Sequence, residues 1–386
     1  MKKLVFTLIM AASAVLCCAQ NSGSGVPHLY EHTFPEITSQ DARVVEMLEQ
    51  VTENQIVADI EHLSSYLNRR ADAIYIYEVK DWLVSQYENM NVDSVYLHYF
   101  EAIPYGDSIP FPTAPNVIAF QRGKTKPEEI IVCGAHYDSY VRTEGPFDPD
   151  TLFSPGADDN ATGVAGILTT ARILSNYDFE RSIIYTSWNA EEFGLLGSAA
   201  YARECRNDSI DIVAYFNLDM TGYVSPGSEI HIDLLYNNCD SLLGKFVKQV
   251  SKTYFPGIEV HHKWLPSGDT DYSSFNRNGY QAISPSEDVY NLSPYIHSTD
   301  DILGLSVNNL EQAQIFTKLN LASVAHAARL YSESVNETEY PDEEIESYEM
   351  YDLMGRRVNN YESGVYIIRY HTKNGNCFTR KFFLKY

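Results

Sequence analysis

Acids and imidazoles gather in five short segments of this sequence. Gly134-Ala135-His136-Tyr137-Asp138-Ser139 follows the apolar run Ile130–Cys133, which puts an imidazole at the end of a strand and a carboxylate two residues on. A neutral imidazole binds zinc through one nitrogen, and a carboxylate that accepts the other N–H fixes the tautomer and raises basicity. Pro155-Gly156-Ala157-Asp158-Asp159-Asn160-Ala161-Thr162-Gly163 is an acidic turn opening a helix. Asp and Asn suit an N-cap, but one cap does not use two Asp and an Asn, and one of these carboxylates has the two oxygens needed to bridge two cations. After the run Ile183–Trp188 comes Asn189-Ala190-Glu191-Glu192-Phe193-Gly194. Adjacent acids repel and belong in solvent unless they divide a task, one ligating a cation while the other takes a proton from water and passes it to a leaving amine. Ile212–Asn217 delivers Asp219, and Tyr295-Ile296-His297-Ser298-Thr299-Asp300-Asp301 repeats the pattern of an imidazole with an acid downstream. Two His and three carboxylates suit a pair of zinc ions better than calcium, which seldom takes imidazole.

Such segments act together only if a frame brings them together. Asn116–Gln121, Ile130–Cys133, Ile183–Trp188 and Ile212–Asn217 are runs three or four apolar residues wide, as buried sheet strands read. Helical patterns separate them or follow them, over Thr162–Tyr177, Leu195–Cys205, Ser241–Tyr254 and Val307–Tyr331. The alternation predicts a three-layer α/β/α domain over 116–332 with a mixed, mainly parallel central sheet. Ligands gather at the carboxyl ends of strands in such sheets. Ahead of it, the spacing of Val44, Val45, Leu48, Val51, Ile56, Ile60, Leu63 and Leu67, then Ile74, Val79, Trp82 and Leu83, predicts a helical lead-in over 20–115 packed on that domain.

With 28 Lys+Arg against 52 Asp+Glu the formal charge is −24, which argues against nucleic acid as a partner, since phosphate binding needs clustered cations. Lys2 and Lys3, the apolar run Leu4–Leu16 and the small residues Ala14 and Ala19 have the order of a secretory signal peptide over residues 1–19. That run is shorter than the roughly 20 residues of a bilayer span. The expectation is therefore a protein exported through the periplasm, secreted or held at the cell surface, with no transmembrane segment. Leu16 stands where a small residue would precede a lipidated Cys17 or Cys18, which argues against a lipid anchor. Cys133, Cys205, Cys239 and Cys377 remain, permitting a disulfide without specifying the pairing. Six acids between Glu337 and Glu346 mark an acidic linker over 333–346. Residues 347–386 then carry seven Lys+Arg against three Asp+Glu, and their short alternating runs around Gly364 and Asn374-Gly375 predict a small C-terminal all-β module.

In their order, GAHYDS, PGADDNATG, WNAEEFGLLGS, NLDM and IHSTDD resemble the co-catalytic zinc aminopeptidases of metallopeptidase family twenty-eight, relatives of the glutamate carboxypeptidases, glutaminyl cyclases and transferrin receptor. The likeness covers about Asn116 to Tyr331. It implies an enzyme that hydrolyses the N-terminal peptide bond of peptides with a free N-terminus, using two zinc ions that hold the attacking hydroxide and polarise the carbonyl. It further implies that His136 and Asp219 hold one zinc, that Glu192 and His297 hold the other, and that Asp159 bridges them. Asp159 is preferred to Asp158 because the family's bridging acid precedes the residue aligned with Asn160. Glu191 becomes the general acid/base, and Asp138 and Asp301 the orienters of His136 and His297. Tyr272 and Tyr295 are candidates for contact with the oxyanion, against the alternative that each is a core tyrosine. The chain departs from the family in Thr270-Asp271-Tyr272-Ser273-Ser274-Phe275, whose opening Ser is changed, and at Ile296; both positions are expected to flank the substrate pocket rather than the metals.

The tail resembles the C-terminal sorting domain read by type IX secretion, on Tyr351-Asp352-Leu353-Met354-Gly355-Arg356-Arg357-Val358, Gly364-Val365-Tyr366-Ile367-Ile368 and Arg380-Lys381-Phe382-Phe383-Leu384-Lys385. It is short and lacks the leading Pro-Asn segment, and a structural β-hairpin cap is the alternative. The resemblance implies the secretion machinery as a partner. Two other functions share the main fold. A one-zinc glutaminyl cyclase-like transferase is opposed by the presence of both His136 and Asp219, and a catalytically silent binding protein by a full set of five ligands with Glu191.

Overall fold

The structure, a computed structural model, describes residues 28–30, 32–104, 108–144, 148–237, 240–332, 345–352, 356–358 and 364–384. It divides into two compact units, the first ending at Tyr331 and the second beginning at Ser332. The first unit opens with helices α1 (Ala42–Glu49), α2 (Glu53–Ser64) and α3 (Tyr75–Glu88). The Asp41 side chain accepts from the Arg43 N–H at the start of α1, and Thr52 accepts from Gln55 N–H at the start of α2, so both helices have side-chain caps. Val44, Met47, Ile56, Ile60, Leu63, Val79 and Leu83 are fully buried, the face their helical spacing requires. The lead-in is not wholly helical: β1 (Ser94–His98) pairs antiparallel with β2 (Asn116–Gln121) and joins the main sheet. Its half-exposed Ser-Val-Tyr-Leu-His is an edge strand with too few apolar residues to stand out in sequence.

The remaining strands are β3 (Lys126–His136), β4 (Arg181–Trp188), β5 (Ile212–Asn217), β6 (His231–Leu235), β7 (Glu259–Lys263) and β8 (Ala282–Ser286). Their order is β1-β2-β4-β3-β5-β8-β6-β7. The pairs β4/β3, β3/β5, β5/β8 and β6/β7 are parallel, whereas β1/β2, β2/β4 and β8/β6 are antiparallel. Every residue of β4 and β5 is buried, as expected of strands covered on both faces. Helices α4 (Gly163–Leu174), α6 (Ser241–Tyr254) and α8 (Leu310–Ala328) enclose one core with α1 to α3. Helices α5 (Leu196–Asn207) and α7 (Tyr272–Arg277) bury Tyr201, Cys205, Tyr272 and Phe275 in a second. Two cores on two faces of one mixed sheet make the three-layer α/β/α architecture.

The second unit is an antiparallel sheet of β9 (Ile345–Tyr351), β10 (Gly364–Thr372) and β11 (Cys377–Leu384), in the order β11-β10-β9. Gly375 takes φ 81° in the turn between β10 and β11, a conformation that favours glycine. β9 begins within the last two residues of the stretch expected as linker, and 333–344 lie outside the described residues, as do residues 1–19. Cys133, Cys205 and Cys377 form no disulfide, and Cys239 lies outside the described residues. Among the described residues no helix is long and apolar enough to cross a membrane.

Candidate metal centre

β4, β3 and β5 lie side by side and parallel, so their carboxyl ends are neighbours. His136 is the last residue of β3, Glu191 and Glu192 follow β4, and Asp219 follows β5. A kinked turn, Ala157–Thr162, whose backbone leaves helical geometry at Asp159 and Asn160, carries Asp159 to the start of α4. His297 comes from the segment after β8, the strand next to β5. Ala190, Met220 and His297 have φ of 59°, 52° and 55°. Left-handed backbone costs a non-glycine residue roughly 1–2 kcal/mol, and here it occurs beside Glu191, beside Asp219 and at His297 itself. Strain concentrated at one end of a sheet is a mark of a functional site.

Asp159 sits between the two imidazoles. Its Oδ1 is 3.2 Å from His136 Nε2, and its Oδ2 is 3.1 Å from His297 Nε2. Asp219 Oδ1 lies 3.5 Å and Glu191 Oε2 4.0 Å from His136 Nε2, while Glu192 Oε2 lies 2.9 Å from His297 Nε2. The structure thus brings together His136, Asp159, Glu191, Glu192, Asp219 and His297, all marked in the sequence. Two ligand groups emerge: His136, Glu191 and Asp219 in one, Asp159, Glu192 and His297 in the other, each with donor atoms within 4.8 Å of one another. His136 Nε2, Asp219 Oδ1, Glu192 Oε1 and His297 Nδ1 are buried and make no hydrogen bond. Burying unpaired polar atoms is costly, and a divalent cation in each group would engage three of these four. The donor set fits zinc.

The crowding of acids shifts their proton affinities. Burial pushes the Glu191 carboxyl well above its ordinary range, and the charges of Glu192, Asp271 and Asp219 add to the effect against the opposing pull of His136. Burial and Asp159 raise Glu192 to about 7. Burial would also raise Asp159, but its contacts with His136 and His297 outweigh burial and hold it below the usual carboxylate range.

Two further acids set the positions of the first six. Asp138 Oδ1 accepts from the Glu191 N–H at 3.1 Å and its Oδ2 from the Glu192 N–H at 3.2 Å. Its Oδ1 is also 3.5 Å from His136 Nδ1, which donates to the Asp138 backbone carbonyl at 3.2 Å. Asp138 therefore touches His136, as expected, and also fixes the glutamate pair. Asp301 corrects its expected role: it makes no hydrogen bond to His297, whose Nδ1 has no partner, and its oxygens face the turn, accepting from the N–H groups of Asp158 at 2.8 Å and Asp159 at 3.1 Å. It positions the residue between the imidazoles instead.

A cavity of about 510 Å³ opens over the cluster, lined by Asp159, Glu191, Glu192, Asp219 and His297 and by the apolar side chains Met220, Leu235, Leu265, Leu292 and Ile296. Neither tyrosine proposed for the oxyanion lines it. Tyr272 starts α7 and packs into the second core, and Tyr295 lies outside the wall, half-buried. Thr270 also departs from expectation. Its Oγ1 donates to Asp219 Oδ2 at 2.5 Å and accepts from Asn217 Nδ2 at 2.9 Å, so it bears on a candidate ligand as well as on the pocket. A hydroxyl survives the change from Ser to Thr. Ile296 does line the pocket. No motif marked Arg69, which is fully buried and whose guanidinium donates to the carbonyls of Leu63, Tyr137, Pro155 and Gly156, so tying the His136 loop to the Asp159 turn.

The profile of Peptidase family M28 matches residues 116–320 of this chain. Leucine aminopeptidase 1 of Fusarium vanettenii is 28% identical over 283 residues, 70% of this chain and 69% of its own. The crystal structure of LapB from Legionella pneumophila superposes with a TM-score of 0.64 at 28% identity, covering 78% of each chain. A zinc aminopeptidase from Bacillus subtilis shares the fold with a TM-score of 0.59 at 17% identity, over 72% of this chain and 96% of its own.

Proposed function

The chain belongs to peptidase family M28 and is a metallo-aminopeptidase, and on that premise we propose that it removes N-terminal residues from peptides with two zinc ions. His136 and Asp219 would hold one ion, Glu192 and His297 the other, and Asp159 one oxygen to each. The observation that carries this reading is the division of Asp159, whose Oδ1 and Oδ2 face different imidazoles at 3.2 and 3.1 Å. When bound, the pair supplies Lewis-acid polarisation of the scissile carbonyl and lowers the pKa of the attacking water. Glu191, left without a ligand's task, takes the proton from that water and returns it to the leaving amine. Its carboxylate stands 4.0 Å from His136 Nε2 at the cavity floor, within reach of a water held between the ligands, which suits a group that must hold the proton between the two steps. Asp138 holds Glu191 and Glu192 through their N–H groups, so base and ligand keep a fixed separation. The carboxylates on the cavity floor favour the ammonium of a free N-terminus. Met220, Leu235, Leu265, Leu292 and Ile296 favour an apolar first side chain, leucine among them, which accords with the name of the Fusarium relative.

The proposal extends to export. Residues 347–386 would serve as a sorting signal for type IX secretion, supported by the motif order in the sequence and by their separation as a second unit. Residues 1–19 would direct the chain into the periplasm.

Glu191→Gln separates the roles. The expected outcome is an unchanged zinc content with kcat lower by at least roughly 100-fold, the contribution of a general base. Wild-type turnover would remove Glu191 from the mechanism, and loss of one zinc would make it a ligand.

A further inference from the structure

A second cluster of metal-ligating side chains lies on strands that the proposed mechanism does not use. β6 and β7 pair in parallel, with His231 opposite Glu259 and Asp233 opposite His261. Residues two apart share a face of a strand, so these four side chains stand on one side of the sheet edge. Donor atoms of His231, Asp233 and His261 fall within 4.8 Å of one another. Asp233 is 1% exposed, and its Oδ1 is buried without a hydrogen-bond partner, although its Oδ2 accepts from the Val289 N–H at 3.1 Å. That unpartnered oxygen is aimed at both imidazoles, 3.5 Å from His261 Nδ1 and 3.9 Å from His231 Nε2.

The far nitrogens of the two rings are also occupied. His231 Nδ1 donates to the Glu229 carbonyl at 3.2 Å, and His261 Nε2 lies 3.3 Å from Glu259 Oε2. An acceptor on one ring nitrogen leaves the lone pair of the other free and directs it, which is how metal-binding histidines are oriented. Here both free nitrogens face Asp233 Oδ1. None of the four residues lines the catalytic cavity.

We propose that His231, Asp233 and His261 form a separate divalent-metal site of the zinc class, with Glu259 and the Glu229 carbonyl orienting the imidazoles and a fourth position open to water. Two imidazoles and one carboxylate favour zinc over calcium or magnesium. His261 is 44% exposed at its side chain, so the ion has a path in from solvent. A bound ion would fasten the edge strand β7 to β6. β7 leads into Leu265, Ser267 and Thr270 of the cavity wall, and Asp233 holds Val289 in the segment that leads to His297. The site therefore braces the substrate side of the cavity without entering it.

Zinc content after equilibrium dialysis of chelator-stripped full-length protein against zinc chloride, measured by plasma mass spectrometry, tests this. The intact chain should hold one more equivalent than the His231→Gln/His261→Gln protein. That difference stands whatever number the catalytic centre takes. In a His136→Ala/His297→Ala background one equivalent should persist, raise the thermal midpoint, and vanish when His231 and His261 are also replaced. Equal zinc content in the intact chain and His231→Gln/His261→Gln overturns the proposal. It then leaves Asp233 as a buried acid beside two imidazoles.

Discussion

Each acid in the catalytic cluster differs from its neighbours by what its two oxygens meet. Asp159 divides its oxygens between two imidazoles, while Asp138 and Asp301 each spend theirs on two consecutive N–H groups. Charge-assisted bonds to backbone donors are strong and directional, so Asp301 determines where Asp159 stands. Asp301→Asn keeps the shape but offers a single acceptor and turns an NH2 toward a peptide N–H. The expected result is zinc affinity lower by about 10–100-fold, the usual effect of losing support behind a ligand. Competition with a chromophoric chelator measures it, and unchanged affinity would mean that Asp159 is held by something else. The candidate cluster was legible because five acid- or imidazole-bearing segments fall at strand or helix ends in one order, each weak alone, while the division of roles among them came from the resemblance to the family. The role of Asp301 was not, because a backbone N–H carries no sequence signature and any loop supplies one.

At the scale of elements, the central strands announced themselves and the outer ones did not. β2 and β5 begin and end where their apolar runs do, and β4 extends its run by two residues. β7 reads Glu-Val-His-His-Lys and β8 contains Pro285, so composition points away from both, and pairing with β6 supplies what local preference lacks. Close contact between the α4 start and the strand ends shows the same dependence on tertiary context. A Cβ on Gly163 would stand 2.3 Å from Asn160 Oδ1 and 2.4 Å from the Leu218 carbonyl oxygen, both parts of the frame between Asp159 and Asp219. The backbone carbonyl cannot step aside as a flexible side chain would. Gly163→Ala should lower stability by about 1–3 kcal/mol, the usual cost of overpacking, and weaken zinc binding with it. Denaturant unfolding of the zinc-loaded and stripped proteins checks this, and full stability would show that the α4 start has room to shift.

The whole molecule consists of an acidic enzyme unit and a small β unit, and within the latter residues 347–386 carry more Lys and Arg than acids. The charge contrast was legible from composition, and the division at Tyr331/Ser332 falls just ahead of the acidic stretch that suggested a boundary. A truncated chain ending at Tyr331 should therefore keep its kcat/KM and thermal midpoint while failing to leave the cell, since each unit has its own hydrogen-bonded sheet. Loss of folding on truncation would make the tail part of the enzyme. The central claim, a metal-dependent exopeptidase acting at free N-termini, is tested most directly by mass spectrometry of a peptide pool incubated with purified protein, with and without chelator. The pool should contain free, N-acetylated and Gln-starting members. The account predicts chelator-sensitive removal of residues from free N-termini only, apolar residues first. Loss of ammonia from Gln-starting peptides without any cleavage, or no change in any peptide, would contradict it.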